Sequence, residues 1–178
     1  MKGATWLIWI VVALALVLAP LGLPPFAMTL LTEAVILGLF AMSLDLMFGY
    51  TRLVSFGHAA AYGLGAYVCG WLLLHTGTPL LFAVFAAALL TGVVGIGVGW
   101  MCTLATGVSF SMLTLAFAQL LYAISFKWTS VTGGSDGLAG IPRTVGPFGF
   151  AALSSKTGFY YLALACLVGG YFVCAALV

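Results

Sequence analysis

Apolar residues in this chain come in unbroken blocks of about twenty, without the period-two alternation of a half-buried strand. The blocks predict six helices: Trp6 to about Leu23, about Ala27 to Phe48, roughly Gly57 to Leu74, Leu80 to Met101, about Val108 to Phe126, and Gly158 to Val178. Pro24 and Pro25 end the first of them, and the turn "HTGTP" ends the third. Each block is long enough for about 30 Å of hydrocarbon. In lipid no water is available to bond the backbone, so a spanning segment must be a helix or part of a closed barrel. Barrel strands alternate apolar and polar over about ten residues, and these blocks do not. The expected fold is therefore an all-α integral membrane protein, a polytopic bundle of about six transmembrane helices forming one domain over residues 1–178.

Polar residues are concentrated in one long segment between the fifth and sixth helices, at about residues 127–157. Gly and Pro punctuate it, and Trp128, Phe148 and Phe150 give it side chains that can pack, so a folded extramembrane element is expected there. Composition removes the soluble alternatives. Only 4% of residues are charged against 65% hydrophobic, whereas a soluble domain carries about a quarter charged residues. Five Lys/Arg, three Asp/Glu and two His cannot build a water-soluble surface. A net charge of +2 without a basic run excludes a nucleic-acid face. Lys2 and the apolar run after it imitate a secretory signal, but Pro20 directly follows Ala19, so the segment reads as a retained helix with Trp6 and Trp9 in the interfacial belt. Counting Lys2 and Arg52 against Lys127, Arg143 and Lys156 would put the long loop in the cytoplasm.

Few residues can carry chemistry. Gly57, Ala61, Gly65 and Cys69 recur every four residues on one helix face, and Gly95 and Gly99 form a second G-x-x-x-G; both read as helix-packing seams. Arg52 reads as an interfacial anchor. His58 opens the third helix with Ser55 as candidate N-cap, and fits either a hydrogen-bonded structural histidine or the lining of a polar path. Glu33 is placed in the first turns of its helix, where an acid suits the dipole, and Asp45 within reach of Arg52 or the interface. The two acids are about 18 Å apart along one helix and form no relay by themselves. "TGGSDGL", Thr132 to Leu138, has the residues of tight turns, but neither a Walker A lysine nor an EF-hand ligand set. Cys69, Cys102, Cys166 and Cys174 form no C-x-x-C pair and read as small apolar fillers. No metal site and no nucleophile–base pair is visible, so a transport or structural role is expected rather than catalysis.

Two blocks carry a resemblance. "LDLMFGYTRLVSFGHAAAYGLGAY" resembles the hallmark of the branched-chain amino acid ABC importer permeases, a family that also contains urea permeases; Gly49, Tyr50, Ser55, Gly57, His58, Ala59, Ala60, Gly63, Gly65, Ala66 and Tyr67 match it. "FSMLTLAFAQLLYAISFKWTSVTGGSDGLAGIP" is similar to the family's T-L-A-F segment and the T-G-G-x-D-G-L loop after it, here Thr132, Gly133, Gly134, Asp136 and Gly137. The likeness is closer to the M-type permease subunit than to its shorter paralogue. It implies an inner-membrane subunit of a bacterium that pairs with a second permease and two cytoplasmic ATPases, receives its amino acid from a periplasmic binding protein, and binds no cofactor itself. Family topology implies that the "TGGSDGL" loop faces the periplasm, against the bare charge count.

Position 52 is usually Gly in that family and is Arg here, and the approach to "GVSF" lacks the family's basic residues. The ending "CAALV" comes before any coupling segment, so the chain reads as the N-terminal part of a family member. Importer permease is the leading expectation. A non-transporting assembly fragment and a passive facilitator for urea or another small amide stand beside it. None of these residues distinguishes leucine from isoleucine or valine, which differ by about one methylene or its placement, roughly 1–3 kcal/mol at most.

Overall fold

The computed structural model describes residues 11, 14–20, 22–52, 55–141 and 155–177. Among them the chain is all-helical. Helical residues 14–20 (α1) are followed by α2 (Pro25–Thr51), α3 (His58–Thr76), α4 (Leu80–Thr103), α5 (Val108–Lys127), the short α6 (Thr129–Thr132), a single 3₁₀ turn at Gly134–Asp136, and α7 (Lys156–Leu177). Trp6, Trp9, Arg143, Phe148 and Phe150 lie outside the described residues.

Four of these helices are long and apolar enough to cross a membrane: Pro25–Tyr50, Leu80–Thr103, Val108–Lys127 and Lys156–Ala176. At 19 residues, α3 has the length, but two His, two Tyr and three Gly dilute its hydropathy. The helical residues before the two prolines end at Gly22, ahead of Pro24, and Pro25 is the first residue of α2, where a missing N–H costs nothing. The acid expected in the first turns of α2 lies further in. The first turn of α2 holds no acidic residue, and Glu33 and Asp45 both occupy outward-facing positions along the helix.

The chain forms two compact units, Met1–Leu39 with Ala152–Val178, and Phe40–Ala151. In the first, Met28, Val35 and Tyr160 make a small core against Leu31, Ala163, Leu164 and Leu167. The register is parallel, Gly38 facing Leu167 and Gly170 facing Leu39. A Cβ on Gly170 would overlap the Leu39 Cδ1 methyl, so a larger residue there would require the Leu39 side chain to turn aside.

Tyr160 is fully buried, and its reason for being there is a backbone defect. In an α-helix the carbonyl of residue 16 bonds the amide of residue 20, but residue 20 is proline and has no N–H. The Tyr160 hydroxyl donates to the Leu16 carbonyl at 2.6 Å, replacing the lost bond. Next to it, Tyr161 donates to the Val17 carbonyl at 3.1 Å. An unpaired carbonyl in an apolar surround is costly, so two phenols on α7 tie down the place where Pro20 interrupts α1.

In the second unit, α3 packs on α4 and α5 and meets α6 at its far end. It runs parallel to α5: Gly57 sits against Thr114 near the start of both helices, and Gly70 meets Leu138 and Ile141 beyond the end of α5. With α4 it is antiparallel, Gly65 facing Thr91 midway.

Tyr160→Phe keeps the ring and removes only the hydroxyl. It is expected to destabilise the detergent-solubilised protein by about 1–2 kcal/mol, seen as a lower thermal midpoint. Tyr161→Phe, at an exposed position, is expected to cost less.

Candidate permeation site

The hallmark residues of α3 line two cavities. The first, ≈ 320 Å³, lies between α3 and α5, with Gly63 and Tyr67 on one side, Gln119, Tyr122 and Ser125 on the other, and Gly134 of the loop at its edge. The second, ≈ 310 Å³, lies among α3, α4 and α5 and is lined by Ser55, Gly57, His58, Ala61, Thr91, Gly95, Gly99 and Thr114 with Val, Leu and Phe side chains between them. Neither lining contains Asp, Glu, Lys or Arg. Their polar groups are hydroxyls, one imidazole and Gln119, the only carboxamide side chain in the sequence.

His58 is held by two partners. Its ring lies against Phe40, centroids 5.1 Å apart, and its Nε2 is 2.7 Å from Ser43 Oγ. Ser43 has one hydroxyl proton and donates it to the Phe40 carbonyl at 2.8 Å. Both contacts are satisfied together when Nε2 carries a proton and donates to Ser43. His58 is thus a hydrogen-bonded residue that also lines a cavity, combining the two readings its sequence position allowed. Ser55 is not the N-cap: Gly57 occupies that position, without a side-chain cap bond, and Ser55 lines the cavity instead. The orphan amide of Phe56 is met from another helix, bonding Thr114 Oγ1 at 3.2 Å while that hydroxyl donates to the Ser111 carbonyl at 2.9 Å.

The small residues divide by task. Gly57 and Gly65 allow close approach: a Cβ on Gly57 would stand 3.2 Å from the Thr114 carbonyl oxygen, and one on Gly65 3.3 Å from Thr91 Oγ1. Ala61 faces the second cavity. Among the described residues, a Cβ on Gly95 or Gly99 would meet nothing within 4 Å, and both line the same cavity. Gly49 and Tyr50 close α2 at outward-facing positions and line neither cavity. Cys102 is buried, as an apolar filler should be, whereas Cys69 and Cys174 are half-buried and Cys166 is exposed; all four are free.

After α2 the chain turns at Arg52, whose φ of 53° is the one positive value among described non-glycine residues. Its amide bonds the Phe48 carbonyl at 2.9 Å, closing the helix in the left-handed conformation that glycine adopts without strain. Arg52 therefore holds a glycine-like backbone conformation under strain, with its side chain outward.

The "TGGSDGL" segment is a built structure. Thr132 is buried, its hydroxyl lying 2.5 Å from the Ser125 carbonyl and 2.8 Å from that of Trp128, and it accepts the Gly134 amide at 3.3 Å. Gly133, Gly134 and Gly137 all have positive φ. A Cβ on Gly133 would overlap the Gly137 carbonyl oxygen, and one on Gly134 would fall 2.8 Å from Thr129 Cγ2. Asp136 is exposed, with Ser135 Oγ donating to it at 3.2 Å. The loop thus folds onto the end of α5 and delivers Gly134 to the first cavity.

Ser43, Thr91, Thr114 and Gln119 were not singled out from the sequence. The signal for Gln119 was available, an amide within an apolar run; Ser43, fifteen residues before His58, gave none.

Gly133→Ala combines positive φ with backbone overlap and is expected to cost more than about 2 kcal/mol, whereas Gly137→Ala meets open space and pays backbone strain alone. Thermal unfolding of the two variants in the same detergent checks the order. Arg52→Gly is expected to stabilise by about 1 kcal/mol in that assay.

Comparison with known families bears directly on this arrangement. A family model described as "Branched-chain amino acid transport system / permease component" matches residues 26–175. No curated protein and no solved structure matches the chain. The match spans α2 through most of α7 and includes both cavities, the hallmark segment and the glycine loop. The chain belongs to the family of branched-chain amino acid transport system permease components.

Proposed function

We propose that this chain is a membrane-spanning subunit of an ATP-driven importer that carries leucine, isoleucine and valine across a bacterial inner membrane by alternating access. It works beside a second permease subunit, with two cytoplasmic ATPases supplying the energy and a periplasmic binding protein supplying the amino acid. The observation that carries this reading is the pair of cavities flanking α3, walled by small and apolar side chains with a few neutral polar groups. A branched aliphatic side chain suits such walls. Its ammonium and carboxylate find no opposite charge there, which suits brief occupancy fed from a tighter external binder. The ATPases bind ATP, so this chain needs no cofactor of its own.

Vesicles holding the chain with its partner subunits test the reading. The expected result is leucine uptake that requires ATP and the binding protein. Solute flux without ATP, with urea as the probe, would identify a passive facilitator, and no flux of either kind would identify an assembly role. Orientation is tested at Ser135, which is exposed on the loop. With the four native cysteines replaced by serine, Ser135→Cys is expected to react with a membrane-impermeant thiol reagent added outside intact cells. Labelling only after permeabilisation would place the loop in the cytoplasm.

A further inference from the structure

The two cavities share a wall. Ala60 and Leu64 of α3 and Ala118 and Leu121 of α5 line both of them. The cavities are staggered across that wall. On α5 one is lined from Phe110 to Leu121 and the other from Ala118 to Phe126, and on α3 from Gly57 to Leu64 and from Ala59 to Tyr67. Taking mid-points at 1.5 Å per residue, they are offset by roughly 10 Å along α5 and 4 Å along α3. One lies toward His58 and the start of both helices, the other toward the glycine loop.

We propose that Leu64 and Leu121 form an apolar gate between two halves of one permeation path. The inference rests on the transport reading above and adds which residues hold the path closed. Ala60 and Ala118 offer only methyl groups, so the bulk of the shared wall falls to the two leucines. An apolar constriction one side chain thick stops polar solutes because neither water nor a charged group is solvated inside it. The helices are pinned next to this layer. Gly57 lies against the Thr114 carbonyl, and the Phe56 amide bonds Thr114 Oγ1. That contact holds α3 and α5 together about two turns before the leucines, and Gly70 meets Leu138 and Ile141 about two turns after Leu64. With α3 held on both sides, the two cavities join when the leucine side chains turn aside, without either helix unwinding.

The test uses the complete transporter in proteoliposomes, with radiolabelled leucine uptake and urea permeability by light scattering measured on the same vesicles. Leu64→Ala/Leu121→Ala is expected to raise ATP-independent urea flux about tenfold and to collapse the ATP-driven leucine gradient. Leu64→Met, close in volume, is expected to stay tight. If the double alanine variant does not assemble, Leu64→Val and Leu121→Val carry the same measurement with a smaller opening. Urea flux equal to wild type in an assembled variant overturns the gate. A wild type that takes up no leucine beside a variant that leaks urea overturns the leucine reading and keeps the gate. No leucine uptake in wild type and no leak in the variant overturns both.

Discussion

How closely two helices approach is set by the side chains between them, and at two places α3 meets a neighbour through a glycine. Gly57 brings it against the backbone of α5, and Gly65 against a threonine of α4. Both contacts occupy space that a methyl group would need. The cavities exist because the same helix alternates these tight points with Ala60, Ala61 and Gly63, which leave volume unfilled beside them. Larger residues at those positions would fill the cavities, and larger residues at Gly57 or Gly65 would push the walls apart.

Backbone satisfaction is the companion constraint, and it explains residues that packing does not. Pro20 removes an amide from α1, and a phenol from α7 replaces it, more than a hundred residues away in sequence. Phe56, in the turn before α3, bonds its amide to a hydroxyl of α5. The Thr132 hydroxyl reaches the Ser125 carbonyl in the last turn of α5. In lipid such groups have no water to turn to, so side-chain hydroxyls at helix ends act as substitutes for solvent. Cross-links of this kind also set which elements move together. The segment after α5 is joined to that helix through Thr132, so the glycine loop and the wall of the first cavity behave as one piece.

A neutral lining shapes what the family's transport chemistry can be in this subunit. Without a formal charge among their lining residues, the two cavities offer shape and neutral hydrogen-bonding groups rather than ion pairing.

Much of this protein was legible in one dimension. Long apolar blocks in a solvent that cannot bond the backbone leave helices as the only answer, and the predicted second to sixth helices begin and end within about three residues of those observed. The glycines of "TGGSDGL" and the small residues of the hallmark segment announced turns and close approach by their chemistry alone. Periodicity could not tell Gly57 and Gly65, which touch a neighbour, from Gly95 and Gly99, which border a void, because spacing places a residue on a face without saying what stands opposite. Ser55 had the chemistry of an N-cap, but the chain reached the helix through Gly57 and left Ser55 to the cavity. The pairing of Ser43 with His58 and of Tyr160 with the Leu16 carbonyl, and the sharing of Leu64 and Leu121 between two cavities, arise only when separate helices are brought side by side. Local sequence determines which helices form in lipid; which side chains meet is decided by how those helices pack.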